Sequence, residues 1–365
     1  MRSATNNSRL SSVAVVGAGI FGVTAALELR RLGFAVTLYE SRSAILDGAT
    51  ARSLFRIHRG FHYPRDEPTA RQARDGYDSF LSTYSAAVRS TVAHYYAIPE
   101  GGSRTSAQGF QSHCQRLGLR AEPVELPPFI TSAIAACWQV DEPYFDPRAL
   151  RRMALDLLQK AGVDLVLHSC ASADSIASQH DYVVLAVYSA TNRLLAELGC
   201  QPVLLQYELC EVPVIHSPRM RDCSVVVMDG PFVSVAPYGE DCHLLYDVRH
   251  SVHSRVIGVE NPEFPRFAEQ LAGQPVSGTP VTKFSKILAS AKRFVSSLDE
   301  VSHLGSLFSV RVVPPGAGRT DARPTAVRWV SPRVIMILSG KMSVCVDAAQ
   351  QTGRAILQAL ASTKV

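Results

Sequence analysis

The stretch Val13-Ala14-Val15-Val16-Gly17-Ala18-Gly19-Ile20-Phe21-Gly22 decides how this chain folds. Its short run of apolar residues predicts a buried strand. The glycines that follow are spaced G-x-G-x-x-G and predict a turn into a helix. Gly17 permits the tight turn, Gly19 lets backbone approach a pyrophosphate, and Gly22 lets the helix lie close to the strand. That helix is expected over Phe21 to Leu32, with its positive end aimed at phosphates. Ile20 and Phe21, at its start, join the glycines as cofactor contacts. Gly33 ends the helix, and Phe34 to Tyr39 reads as a second strand closed by Glu40. A carboxylate there accepts hydrogen bonds from an adenosine ribose, and Ser41 and Arg42 belong to the same contact. A bare G-x-G-x-x-G is a weak signal. The strand before it, the helix after it and the acid in place point to dinucleotide binding.

Which dinucleotide is narrowed by two further features. Glu40 disfavours NADP, because it repels a 2′-phosphate, although Arg42 tempers that argument. The second feature is the interval from Glu40 to Val163, far longer than an ordinary connection. A simple nicotinamide dehydrogenase completes its nucleotide unit without such a gap, so the interruption favours FAD over NAD.

The chain has 365 residues, a net charge of +5, 47% hydrophobic and 19% charged residues, which suits a globular enzyme. The basic residues are dispersed, so no nucleic-acid footprint is read. The eight cysteines show no C-x-x-C and no zinc or disulfide spacing. A reducing, cytoplasmic setting is therefore expected. Met1 to Ser12 reads as a frayed polar lead. The apolar run after it is too short and glycine-broken for a signal peptide or membrane span.

Further along, Asp66 to Val88 reads as one helix, and Thr91 to Pro123 as a segment containing sheet. Asp146-Pro147 caps a helix over Arg148 to Ala161, ended by Gly162. Strands are expected at Val163 to His168 and Asp181 to Val187, then at Gln206 to Pro213, Cys223 to Asp229, Phe232 to Pro237 and His243 to Arg249. Phe264 to Ala272 and Phe284 to Leu298 look helical. The chain finishes on a buried strand, Val334 to Leu338, a turn at Ser339-Gly340-Lys341 and a helix over Met342 to Leu360.

Together these pieces resemble the D-amino-acid-oxidase-like FAD-dependent oxidoreductases, the superfamily of glycine and sarcosine oxidases, glycerol-3-phosphate dehydrogenases and L-2-hydroxyglutarate dehydrogenases. Four places carry the resemblance: Gly17 to Glu40; Thr50 to Tyr63, whose Ile57-His58-Arg59-Gly60 is similar to an I-H-x-G element; Arg323-Pro324-Thr325, similar to R-P-x-T; and Ser339-Gly340-Lys341, similar to the turn that meets the flavin ring. Gly60-Phe-His-Tyr-Pro-Arg65 looks like a subgroup hallmark. Tyr188 departs from the pattern, standing where relatives carry a glycine in A-T-G. The G-D-A-x-H element of aromatic hydroxylases is missing, which counts against a monooxygenase.

The resemblance implies an α/β architecture. An FAD-binding Rossmann-like domain of glutathione-reductase type comes from residues 1–85, 146–205 and 310–365. An interleaved α+β substrate domain on a mostly antiparallel sheet comes from 86–145 and 206–309. It places Thr50, Ser53 and His58 of the cofactor loop, Ala186, Gly340, Lys341 and Met342 against FAD. Lys341 and the helix start beside it would stabilise negative charge on a reduced flavin. His58 and His62 are candidate bases, Tyr63 a candidate for orienting substrate, and Arg323 a candidate fork for a substrate carboxylate, with Arg311 as a second. His250-Ser-Val-His253 lacks further ligands, so no metal is expected.

The expected reaction is hydride transfer to FAD from the C–N bond of a small amine or amino acid, with carboxylate-bearing substrates in view. Oxygen or another acceptor then takes the electrons. A dehydrogenase of a 2-hydroxy acid or polyol phosphate is the alternative. A non-catalytic flavin-binding or assembly subunit is the competing class.

Overall fold

A computed structural model describes residues 10–263 and 282–362. The expected helix Phe264 to Ala272, residues 1–9 and the last three residues lie outside that description. Ser12–Val16 forms the first strand, and its neighbours are Ala35–Tyr39 and Tyr182–Leu185, both parallel to it. A six-stranded sheet results, in the spatial order Ala326–Ser331, Val334–Leu338, Tyr182–Leu185, Ser12–Val16, Ala35–Tyr39, Asp164–Val166. All pairs are parallel except the outermost, Ala326–Ser331 with Val334–Leu338. Such a sheet must be covered on both faces, which explains its continuous apolar strands. Helix Ile20–Arg31 packs beside the C-terminal helix Cys345–Ser362 and beside Pro147–Ala161 on one of these faces.

The parallel order has a direct consequence for the site. Val16 and Met336 are both level with Leu185 in the register. The glycine turn after Val16 and the Ser339–Lys341 turn therefore leave the same end of the sheet. They are separated by one intervening strand, roughly 10 Å. Residues adjacent in space here stand at opposite ends of the sequence.

The second sheet has nine strands and is mixed. Ala93–Pro99 and Cys223–Val227 run parallel, whereas Leu205–His216 pairs antiparallel with Ser302–Val313 and Val252–Gly258. Leu205–His216 is buried along almost its whole length and ties this sheet to the first core. The α/β class expected from sequence holds, with both sheets mixed in strand direction.

Several elements differ from expectation. The helix read over Asp66 to Val88 is two helices, Glu67–Asp75 and Tyr77–Tyr84. Gly76 breaks it: a Cβ there would lie 2.7 Å from the Ser343 carbonyl oxygen and 3.0 Å from Val344 Cα. Thr91 to Pro123 contains a helix, Ala107–Leu117, between its strands. Ser106 caps that helix by accepting from Gly109 N, and Gly118 ends it in a left-handed conformation. The C-terminal helix starts at Cys345, after a short turn over Met342–Val344. By contrast Asp146 caps Pro147–Ala161 as its sequence predicts, accepting from the backbone of Arg148 and Ala149.

Candidate functional site

The glycine turn is built as a cradle. Gly17 has φ +97°, and a Cβ on it would lie 2.6 Å from the Ala186 carbonyl oxygen. A Cβ on Gly22 would lie 1.8 Å from the Gly17 carbonyl oxygen. Both glycines are therefore required by the fold itself. Gly19 is different: its Cβ would meet only Thr50 Oγ1, at 3.9 Å. The open space over Gly19, at a helix N-terminus with no acid in the first turn, is a fitting place for a phosphate. Thr50 Oγ1 accepts from Ile20 N at 3.3 Å and so pins the cofactor loop to this mouth. Ile20 and Phe21 are buried in the core. Ser53 is turned to its own loop, accepting from Phe55 N.

Glu40 closes the second strand as expected. Its Oε2 accepts from Ala18 N at 2.9 Å, and its Oε1 accepts from Arg42 N at 2.9 Å and from the Ser41 hydroxyl. The carboxylate thus splints the glycine turn and retains acceptor capacity for a ribose.

At the other end of the sequence, Arg323-Pro324-Thr325 and Ser339-Gly340-Lys341 interlock. Thr325 Oγ1 accepts from Gly340 N at 3.0 Å. A Cβ on Gly340 would lie 2.1 Å from the Arg323 carbonyl oxygen. The two motifs are one structural device, which the sequence reading treats as separate. Met342 packs against the main core.

A cavity beside this device is lined by Tyr188, Arg311, Arg323, Ser339, Gly340 and Lys341. Tyr188 has φ +51°, the left-handed region where a glycine is at ease. Its hydroxyl holds it there, donating to Val312 O at 3.1 Å and accepting from Val312 N at 3.0 Å. The tyrosine thus takes a backbone conformation that favours glycine, and adds a ring to the cavity wall.

Lys341 Nζ lies 5.0 Å from the centre of the Tyr63 ring. Tyr63 is in turn 5.5 Å from the His58 ring and 5.2 Å from His62, centroid to centroid. His58, His62, Tyr63 and Lys341 thus lie together, and Arg323 lines the same cavity as Lys341. Burial, with Arg323, Arg311 and Arg56 nearby, holds the Lys341 ammonium well below the usual lysine range. Burial, with Lys341 and Arg56 adding to it, holds His58 and His62 well below the usual imidazole range. The Tyr63 hydroxyl is buried without a hydrogen-bond partner, and burial pushes its pKa up.

The two arginines behave differently. Arg311 is committed: its Nε and Nη2 donate to Glu208 Oε2 at 2.8 and 2.5 Å. Burial raises the Glu208 carboxyl, but Arg311, together with the hydrogen bonds from Arg255 and Gln206, outweighs it and takes the group down to about 2. Arg323 spends Nη1 on the carbonyls of Ala317 and Ala322, at 3.4 and 2.8 Å. Asp321, its neighbour in sequence, is paired with Arg65.

Three residues escaped the sequence reading. Glu142 is buried and accepts from Tyr96 Oη at 2.7 Å and Arg59 N at 2.8 Å. Arg56 is buried beside it, and Arg52 beside Asp47. Buried charges on a polar loop are a usable signal for the arginines. Nothing around Val140-Asp-Glu142-Pro reveals that Glu142 returns to His58. His253 is bound to buried Glu211 at 2.7 Å, and the described residues contain no cluster fit for a metal ion.

Two turns separated by one intervening strand, a helix start open to a phosphate and an acid on the second strand are the features of a dinucleotide-binding fold. The sequence model of the family described as FAD dependent oxidoreductase matches residues 12–328, and the chain belongs to that family. The family's description names FAD as its cofactor. Among curated proteins it is 38% identical over 88 residues to the FAD-dependent monooxygenase FPY4 of Fusarium mangiferae, covering 24% of each chain. It is 27% identical over 249 residues to the FAD-dependent monooxygenase kojA of Aspergillus flavus, covering 62% of this chain and 58% of that one. The chain thus aligns with less than two thirds of either relative. Its fold is similar to that of L-alpha-glycerophosphate oxidase from Mycoplasma pneumoniae with FAD bound: TM-score 0.72, 16% identity, 95% of this chain and 94% of that one. No helix among the described residues is long and apolar enough to cross a membrane.

Proposed function

We propose that the protein oxidises the C–N bond of a small amine or amino acid that bears a carboxylate. The observation that carries this reading is the meeting of Arg323, Arg311 and Lys341 on one cavity, with Lys341 against Tyr63 and the His58–His62 pair. FAD supplies the two-electron acceptor. Gly17, Gly19, Ile20, Phe21 and Gly22 would hold its pyrophosphate, and Glu40, Ser41 and Arg42 its adenosine. Thr50, Ser53, His58 and Ala186 would line its length, and Gly340, Lys341 and Met342 would meet its ring. In this reading the FAD-binding unit comprises 1–85, 146–205 and 310–365, consistent with the six-stranded sheet drawing its strands from those segments. The substrate unit comprises 86–145 and 206–309.

Arg323 would take the substrate carboxylate on the guanidinium edge not turned to Ala317 and Ala322. Arg311, fixed by Glu208, would contribute field more than contact. His58, held neutral by its surroundings, would offer a lone pair as hydrogen-bond acceptor to the substrate amine. Tyr63 would orient the substrate. The unpaired cysteines are consistent with a reducing cytoplasm.

The test is anaerobic mixing of purified holoprotein with amino acids, amines and 2-hydroxy acids while the flavin's visible absorption is followed. Bleaching by an amine or amino acid is expected. Bleaching by hydroxy acids or polyol phosphates alone would favour the alternative dehydrogenase reading. The names of the two fungal relatives support a second reading, in which oxygen enters the product. Turnover under heavy-isotope oxygen separates the two: label in the organic product marks a monooxygenase, and label confined to peroxide marks an oxidase.

A further inference from the structure

Arg65 follows Tyr63-Pro64 and immediately precedes Asp66, the cap of helix Glu67–Asp75. Its guanidinium joins parts of the chain that are remote in sequence. Nε and Nη2 donate to the two carboxylate oxygens of Asp229, at 2.5 and 3.0 Å. Nη2 also donates to Asp321 Oδ2, and Nη1 donates to the Arg319 carbonyl oxygen. Asp229 is a fixed anchor: it is buried and accepts from Thr105 Oγ1 at 2.8 Å. Arg104, beside Thr105, donates to the Gly318 carbonyl oxygen at 2.8 Å. Two arginines thus hold one surface segment, residues 316–321. Left-handed residues bracket it, Gly316 at φ +74° and Asp321 at φ +62°, and Gly318, Arg319 and Thr320 between them are exposed.

That segment leaves the cavity and returns to it. Pro314 before it and Arg323 after it line the same space as Lys341. The backbone of Arg323 is fixed from elsewhere, because its N donates to Thr69 Oγ1 on helix Glu67–Asp75 at 2.9 Å. Its guanidinium is aimed by the segment: Nη1 donates to the carbonyls of Ala317 and Ala322. The Ser339–Lys341 turn is held separately, with Thr325 Oγ1 accepting from Gly340 N. Releasing the segment therefore frees the head of Arg323 while its backbone and that turn stay in place.

We propose that Arg65 is a positioning residue for the substrate carboxylate: it latches residues 316–321 to Asp229 and so sets the direction in which the Arg323 guanidinium points. A planar fork recognises a carboxylate only when its edge is presented correctly, so the aim of Arg323 decides whether it binds. The inference rests on the reading of Arg323 as the carboxylate fork.

The test uses holoprotein of the wild type, Arg65→Gln, Arg65→Lys, Arg104→Ala and Arg323→Gln. Acetate is the carboxylate probe and acetamide its uncharged analogue, each titrated against the flavin's visible absorption. Arg65→Gln is expected to raise the acetate Kd by roughly tenfold and to leave acetamide and flavin content unchanged. Arg65→Lys recovers part of the loss, because the charge still faces Asp229 while the fork that spans several partners is gone. Trypsin reads the latch directly. Cleavage after the exposed Arg319 is expected to be roughly tenfold faster in Arg65→Gln, since the segment opens more often. Arg104→Ala, which removes an exposed side chain and leaves the interior intact, should also speed it. An acetate Kd in Arg65→Gln equal to that of the wild type would overturn the positioning role, and an unchanged cleavage rate would overturn the latch. Equal losses for acetate and acetamide, together with lost flavin, would make Arg65 a structural residue. Acetate that left the wild-type flavin unperturbed, or bound Arg323→Gln as tightly as the wild type, would instead remove the carboxylate reading, whatever trypsin showed.

Discussion

Glu142 Oε1 lies 3.7 Å from His58 Nδ1, in a carboxylate that has no exposed side-chain surface. At that separation no hydrogen bond forms and His58 Nδ1 is buried without a partner, but the field of the carboxylate favours the His58 tautomer with its proton on Nδ1 and a lone pair on Nε2. His62 has the opposite surroundings. Its Nδ1 is 3.4 Å from Arg56 Nη1, and a guanidinium only donates, so the proton of His62 belongs on Nε2. Two histidines on one loop are thus set as an acceptor and a donor by two residues that the loop alone does not reveal.

Replacing Glu142 with Gln keeps the volume and removes the preference. The rate of flavin reduction by substrate is expected to fall by about a hundredfold, the scale of a displaced acid–base group. Anaerobic stopped-flow measurement reads the rate, and the visible spectrum verifies that FAD is retained. A mutant that reduces its flavin at the wild-type rate would remove the tautomer argument.

The glycines of the first turn make a paired prediction. Gly19→Val should leave a folded apoprotein, because only Thr50 Oγ1 stands near the new side chain, yet abolish FAD binding. Gly22→Ala should fail earlier, in folding, because its Cβ would lie 1.8 Å from the Gly17 carbonyl oxygen. Circular dichroism together with flavin content distinguishes the two outcomes. A yellow Gly19→Val protein would contradict the close approach of pyrophosphate to this residue.

Lys341→Ala should slow reduction by at least roughly tenfold while leaving FAD bound, because the lysine faces Tyr63 and the cavity while Gly340 is held by Thr325. Unchanged turnover would show that Lys341 has no part in the chemistry. The matching control is Thr325→Val, which removes the acceptor for Gly340 N and should disturb the turn and the flavin spectrum together.

Stability should fall as the solution becomes acidic. Burial, with Arg56 adding to it, lowers His94 from 6.5 to about 4; His58 and His62 are lowered as well. Below pH 6.5 the unfolded chain takes up protons that the folded chain refuses. For His94 the contribution is complete above 6.5 and is lost as pH falls towards about 4, and His58 and His62 act in the same direction. For His94 alone the loss reaches about 3 kcal/mol. Thermal melts between neutral pH and pH 5 should display the decline, and His94→Gln should flatten it. A melting temperature independent of pH over this range would contradict the burial of these imidazoles.

The sequence by itself determined the nucleotide half of this protein, because that half is written in local pattern. A strand, three spaced glycines, a helix and a terminal acid follow one another in the sequence, and Gly22 answers to the carbonyl of Gly17 five residues before it, whereas what forbids a side chain at Gly17 is Ala186. Asp146-Pro147 and Gly162 likewise fixed a helix, since capping is a short-range hydrogen-bonding matter. Gly76 was not legible, because what forbids a side chain there is the Ser343–Val344 backbone from the far end of the chain. Ser106 was legible in principle, but the glycine and serine around it masked the helix it caps. Only the tertiary structure decided how the site is assembled. Parallel strand order brings the turn of Lys341 to the same end of the sheet as the turn of Gly17, and burial sets the Glu142 carboxylate beside His58. Those outcomes depend on low dielectric and on contacts between residues remote in sequence, neither of which any local pattern encodes.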